Sequence, residues 1–199
     1  MIQSDIFDSS SMNIKKLGNS VLIFIAKRLI EILGIMILIL GFLLLISLLS
    51  YSPDDPNFIF PENTKIKNYL GFYGSYTSDL FFQSVGLIAF LIPITFIFTG
   101  INIFKKKEIL FLIENLFFLI LYSLIGSIFF TYFYTETFTF YINGTGGFVG
   151  EYLSETFIKN FITLNEKISY YTLIFFFNKK IIKDFFYTFK KSFYIKVYT

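Results

Sequence analysis

Chemistry in this chain would have to come from carboxylates, hydroxyls and amines. Its 199 residues include no His and no Cys, which excludes cysteine nucleophiles, thiolate zinc sites and imidazole acid–base catalysis. The remaining carboxylates are poorly spaced for catalysis. Asp54 and Asp55 are adjacent, as in some metal sites, but no other ligand converges nearby in sequence, so a turn with solvated carboxylates is expected. Asp79 opens a long apolar run, where a carboxylate complements the dipole of a helix N-terminus. A coupling-ion role would ask for a deeper position. Glu114 is the one charge inside a later apolar run and lies little more than a turn from Glu108, so it is expected to snorkel to the same surface. Gly144, Gly146, Gly147 and Gly150 suggest a phosphate cradle, yet the dinucleotide fingerprint fails. Val149 stands where the third glycine belongs, and no βαβ pattern surrounds it. Asn143-Gly-Thr matches a glycosylation sequon at a frequency expected by chance. No catalytic residue, cofactor or metal is expected.

The elements that carry these residues are long and apolar. The chain is 55% hydrophobic and only 16% charged, and the apolar residues gather into uncharged runs, the signature of a membrane protein. Ile32–Ser50, Leu80–Phe104 and Ile109–Thr135 each reach the roughly 20 residues that cross a hydrocarbon core. Ile168–Phe177 stops short at Asn178–Lys179–Lys180 and needs tilt or local thinning to cross. The expected fold is an all-α integral membrane helical bundle with three clear spans, a fourth short or incomplete span, and interfacial helices in the outer segments. Residues 1–20 read as a disordered cytoplasmic tail, 21–178 as the membrane region, and 179–199 as a basic, aromatic tail. The aromatic content of 22% accompanies abundant Ile, Lys and Asn, which fits an A/T-rich genome better than a stacking platform.

Finer features follow from spacing. Gly34 and Gly41 lie one heptad apart and fall on one helix face, where small residues admit a neighbour closely. Pro53, Pro56 and Pro61 forbid a helix through the first outer loop. Tyr69, Phe72, Tyr73 and Tyr76 suit a short interfacial helix over Ile66–Tyr76. Pro93 is expected to kink the second span. A glycine-rich turn is expected to open another interfacial helix from about Phe148. Of the 17 Lys and Arg residues, only Lys65, Lys67, Lys159 and Lys167 fall in the outer segments, so the positive-inside rule places the N-terminus in the cytoplasm.

The residue order carries a resemblance. LLSYSPDDPNF (Leu48–Phe58), N-x-x-G (Asn68–Gly71), G-x-x-x-S-D-L-F-F (Gly74–Phe82), Gly86, L-I-P (Leu91–Pro93) and GGFVGEYLSETF (Gly146–Phe157) together resemble the N-terminal four-transmembrane region of the FtsK/SpoIIIE family of bacterial DNA translocases. The resemblance covers about Ile32 to Asn165. It implies an anchor in the cytoplasmic membrane at the division septum, acting in cell division and chromosome segregation. Its implied partners are the lipid bilayer, further copies of itself and other division proteins, with no direct nucleic acid contact from this part. It also singles out Pro53, Asp54, Pro56, Gly71, Gly74, Asp79, Gly86 and Pro93 as pattern positions with turn, close-packing or kink roles. The chain departs from the family in lacking a G-x-x-x-x-G-K-[ST] phosphate loop, so no ATPase motor and no enzymatic activity are expected of it. The last span also degenerates after Phe177. A slipped reading frame and a natural short anchor both account for that, and translating the downstream DNA in all frames separates them. The alternative class is a small transporter or channel subunit, which predicts polar residues deep in the spans.

Overall fold

A computed structural model describes residues 2–56, 65–134, 144–155, 162 and 165–175, with side chains described from residue 18 onward. The first helix, α1, runs from Ile2 to Leu49. This corrects the expectation of a disordered tail over 1–20. No proline interrupts the stretch, and once the apolar half of α1 is helical, each added residue gains a hydrogen bond for the ordering of one residue only. The helix ends where Ser52–Asp55 forms a turn, the Asp55 N–H donating to the Ser52 carbonyl at 3.2 Å. Pro53 and Asp54 occupy its two central positions, the first of which suits the fixed φ of proline.

The second apolar stretch is three elements rather than one kinked helix. Helix α2 spans Gly71–Val85, a 3-10 segment spans Gly86–Phe90, and α3 spans Leu91–Lys106. Together they make a candidate span of 36 residues, which as one straight helix would measure about 54 Å against a hydrocarbon core of about 30 Å. The chain therefore has to turn, and it turns at Gly86. Phe82 before the break and Ala89 and Ile92 after it share one buried cluster with Leu44 and Leu48 of α1. Positions 82 and 92 of a straight helix would stand about 15 Å apart; the bend lets both reach the same two turns of α1. The expected kink at Pro93 is corrected accordingly. Pro93 is the third residue of α3, where a helix leaves its N–H groups unpaired and a missing one costs nothing. The expected short helix over Ile66–Tyr76 is likewise replaced by α2, which begins at Gly71.

Helices α1 and α3 run antiparallel at close range. A Cβ added at Gly100 would lie 2.6 Å from the Gly34 carbonyl oxygen, and one at Gly41 would lie 2.9 Å from the Ile97 nitrogen. The two glycines one heptad apart are thus spent on a neighbour within the chain. At the far end Lys107 closes α3 in the left-handed region (φ 58°), its N–H donating to Ile103. Its ammonium pairs with Glu31 at 2.5 Å, and Glu31 also pairs with Arg28 at 2.6 Å. Helix α4, Leu110–Phe133, follows at once. It buries Ser123, Gly126 and Ser127 and exposes Leu110, Ile113, Phe117 and Ile120, the inside-out pattern of a helix whose outer surroundings are apolar. Helix α5, Gly147–Ser154, packs on α2 and α4.

The protein is a helical membrane bundle. Among the described residues three stretches are long and apolar enough to cross a bilayer, Gly18–Leu49, Gly71–Lys106 and Leu110–Phe133. A helical stretch at 166–175 is the described part of the expected fourth span. Pro61, Asn143, Phe157, Phe161 and the tail 179–199 lie outside the described residues.

Candidate functional site

Two polar joints fasten the helices at the end where α1 stops. In the first, the chain between α1 and α2 closes on itself. Asp55 is only 3% exposed, and its two carboxylate oxygens accept the backbone N–H groups of Lys67 and Asn68, each at 2.8 Å. The Asn68 side-chain amide donates to the Ser47 carbonyl at 2.9 Å and its oxygen accepts the Leu70 N–H at 3.0 Å. Ser47 donates to the Gly74 carbonyl at 2.6 Å, and Ser75 to the Pro56 carbonyl at 2.8 Å. These groups lie next to the end of the apolar stretch Gly18–Leu49, and a backbone group left unpaired away from water is costly. Asp54, by contrast, is exposed and pairs with the Lys67 ammonium at 2.7 Å. That hydrogen bond and the charge of Asp54 raise the Lys67 pKa above its ordinary value.

The second joint forms at Gly86. The Leu87 N–H donates to the Thr145 carbonyl at 2.9 Å, Thr145 donates to the Phe130 carbonyl at 3.0 Å, and Ser127 donates to the Val85 carbonyl at 3.0 Å. The break in the second stretch is thereby satisfied by the glycine-rich turn and by α4. Gly86 has φ +67° and Gly147 φ +65°, and a Cβ at either would run into backbone of the other segment. The glycines that read as a phosphate cradle serve helix contact instead.

Most of the pattern positions lie at these joints. Pro53, Asp54 and Pro56 sit in or beside the turn after α1, and Gly71 and Gly74 open α2, with Gly74 tight against Asn68. Asp79 corrects an expectation: it is the ninth residue of α2, not its first, so the helix dipole does not explain it. It is 4% exposed and accepts from the Tyr51 hydroxyl at 3.2 Å. Asp55, expected to be solvated, is buried. Asp55, Ser47, Ser127 and Thr145 were not legible as site residues from spacing. Their one sequence signal is a polar side chain placed next to an apolar run.

Within the spans, some polar groups pair across helices, while the Ser123 hydroxyl of α4 is buried without a hydrogen-bond partner among the described residues. Thr95 of α3 and Tyr122 of α4 share a hydrogen bond, and the Asn115 amide donates to Thr99 at 2.9 Å. Glu114 is exposed on α4. Among the described residues no group of three or more carboxylates could hold a metal ion.

The model of the 4TM region of DNA translocase FtsK/SpoIIIE matches residues 26–176. The chain belongs to this family. Relatives of the FtsK 4TM region here include the DNA translocase FtsK of Rickettsia bellii (strain RML369-C), 38% identical over 69 residues, which is 35% of this chain and 9% of that protein. The DNA translocase FtsK of Rickettsia typhi (strain ATCC VR-144 / Wilmington) is 36% identical over 69 residues, with the same shares, 35% and 9%. That of Rickettsia prowazekii (strain Madrid E) is 33% identical over 72 residues, or 36% of this chain and 10% of the relative. The match thus spans about a tenth of the length of these curated relatives. No solved structure matches the chain.

Proposed function

We propose that this chain is the membrane anchor and interaction unit of an FtsK-like DNA translocase, acting in cell division and chromosome segregation and carrying no catalysis of its own. It sits in the cytoplasmic membrane of a bacterium with its N-terminus in the cytoplasm, self-associates, and meets other division proteins through its outer joints. The observation that carries this reading is the overlap between the family match over 26–176 and the three apolar stretches. The relatives' name supplies the DNA-translocating activity, which belongs in this reading to the nine-tenths of those proteins that the match does not reach. The self-paired hydroxyls and amides between α3 and α4 speak against a transport pathway. A fluorescent fusion expressed in dividing cells tests the reading: a band at the septum is expected, and even labelling of the whole envelope would overturn it. Alkaline phosphatase fused after Glu62 should be active and after Lys106 inactive; the reverse result inverts the topology.

A further inference from the structure

The end of the bundle opposite the polar joints collects cations from two separate segments. Lys27 and Arg28 come from α1, Lys105 and Lys106 from the last turn of α3 and Lys107 from its cap, against the carboxylates Glu31, Glu108 and Glu114. Glu31 holds the two segments together through Arg28 and Lys107, so the patch is built into the hairpin. The surface beside the cations is apolar. Arg28 lies over the Phe24 ring at 5.0 Å and Lys106 over the Phe111 ring at 3.8 Å, while Leu22, Phe24 and Leu110 are more than half exposed.

We infer that this patch binds anionic phospholipid headgroups of the cytoplasmic leaflet. The inference rests on the membrane reading above and adds a ligand class to it. A mixed surface distinguishes the partner: a phospholipid offers a phosphate to the cations and acyl chain to the exposed Phe, Leu and Ile, whereas nucleic acid would leave the apolar part in water. Five cations against three carboxylates leave the patch net positive, and that net charge attracts an anionic leaflet.

The test uses the full chain in detergent, exchanged into mixtures of phosphatidylglycerol and phosphatidylcholine, with retained lipids counted by native mass spectrometry. Phosphatidylglycerol should be retained preferentially, and added salt should weaken the preference. K105Q/K106Q, which spares the Arg28–Glu31–Lys107 link, should lower the preference by about fivefold per cation removed. Lys27→Gln on α1 should lower it by one such step even if the double variant misfolds, and Lys65→Gln at the other end should leave it unchanged. Equal retention of both lipids by the unmodified chain overturns the inference. So does an unchanged preference in K105Q/K106Q with helicity preserved, or tighter binding of a short fluorescent DNA duplex than of phosphatidylglycerol vesicles. None of these outcomes alters septal localisation, and carbonate extraction of the cellular protein tests the membrane reading separately.

Discussion

Replacing Gly86 and Gly71 separately by alanine isolates what the joint requires of its glycine. Both residues have positive φ, +67° and +64°, so an alanine at either is strained by about 1–2 kcal/mol. Their surroundings differ. A Cβ at Gly71 would meet nothing within 4 Å, whereas one at Gly86 would overlap the Thr145 carbonyl and stand 2.8 Å from the Gly146 carbonyl carbon. Both obstacles are backbone, which cannot rotate away, and forcing them apart costs roughly 1–3 kcal/mol more. Separation would also strain the hydrogen bond from Leu87 to Thr145, worth about 1 kcal/mol. Gly86→Ala is therefore expected to destabilise by roughly 3–6 kcal/mol, several times the effect of Gly71→Ala. Thermal unfolding in a mild detergent, followed by far-ultraviolet circular dichroism, gives the comparison. The natural absence of cysteine adds a second readout. A Cys pair placed at Leu87 and Thr145 should cross-link with a short bifunctional reagent, and fail to do so when Gly86→Ala is added. Equal, mild destabilisation by both alanines with cross-linking intact would refute the close approach of the glycine-rich turn to the break.

Two further substitutions probe the other contacts. Asp55→Ala strips the acceptors from the buried Asn68 N–H and the part-buried Lys67 N–H; at about 1–3 kcal/mol for the buried donor left unsatisfied, unfolding should shift downward and amide exchange at Lys67 and Asn68 should accelerate. Asp54→Ala, which removes an exposed ion pair, should change little, and equal effects of the two would show that the buried carboxylate is not the fastener. Gly100→Leu pushes a side chain into the backbone of Gly34 and Leu38 and should abolish the α1–α3 pairing, seen as loss of a single symmetric peak in size exclusion. Gly18→Leu, at a site with nothing within 4 Å, should leave that peak intact; a normal Gly100→Leu profile would mean the two helices are not in contact there.

The spans are legible because lipid demands about 20 apolar residues in a row and tolerates few charges, so their existence and rough ends follow from composition. The α1–α3 approach is legible in part, through two glycines on one face. Which neighbour they meet is not, since Gly100 has no periodic relation to Gly34. The position of the bend is obscured by a rule that holds on average. Proline breaks helix interiors, yet here the glycine seven residues earlier has already ended the helix, and Pro93 merely begins the next one. The α2 boundary is missed for a related reason. Asp79 looks like a first-turn carboxylate when hydropathy alone defines the span, because the Gly, Ser, Thr and Tyr residues before it lower the average without breaking the helix.

The polar residues are the hardest to read, because their meaning is reversed by the medium. In water, Asp55 beside Pro56 and Asp54 reads as a solvated turn. At the end of an apolar helix the same carboxylate accepts two backbone N–H groups, one of them, Asn68, buried away from water, and Asp55 is buried with it. Asp79, Ser78 and Ser127 follow the same logic: α2 and α4 turn small and polar residues inward while Tyr73, Leu110 and Phe117 point out. Burial in this bundle therefore takes in small and hydrogen-bonding residues beside the apolar cluster of Leu44, Leu48, Phe82, Ala89 and Ile92, while many large apolar residues face outward. The same need accounts for Pro53, Asp55 and Gly86, which end helices or pair the backbone exposed where they end. Apolar positions facing lipid can exchange one large side chain for another with little consequence, whereas Gly86 and Asp55 each answer to a particular carbonyl or N–H group.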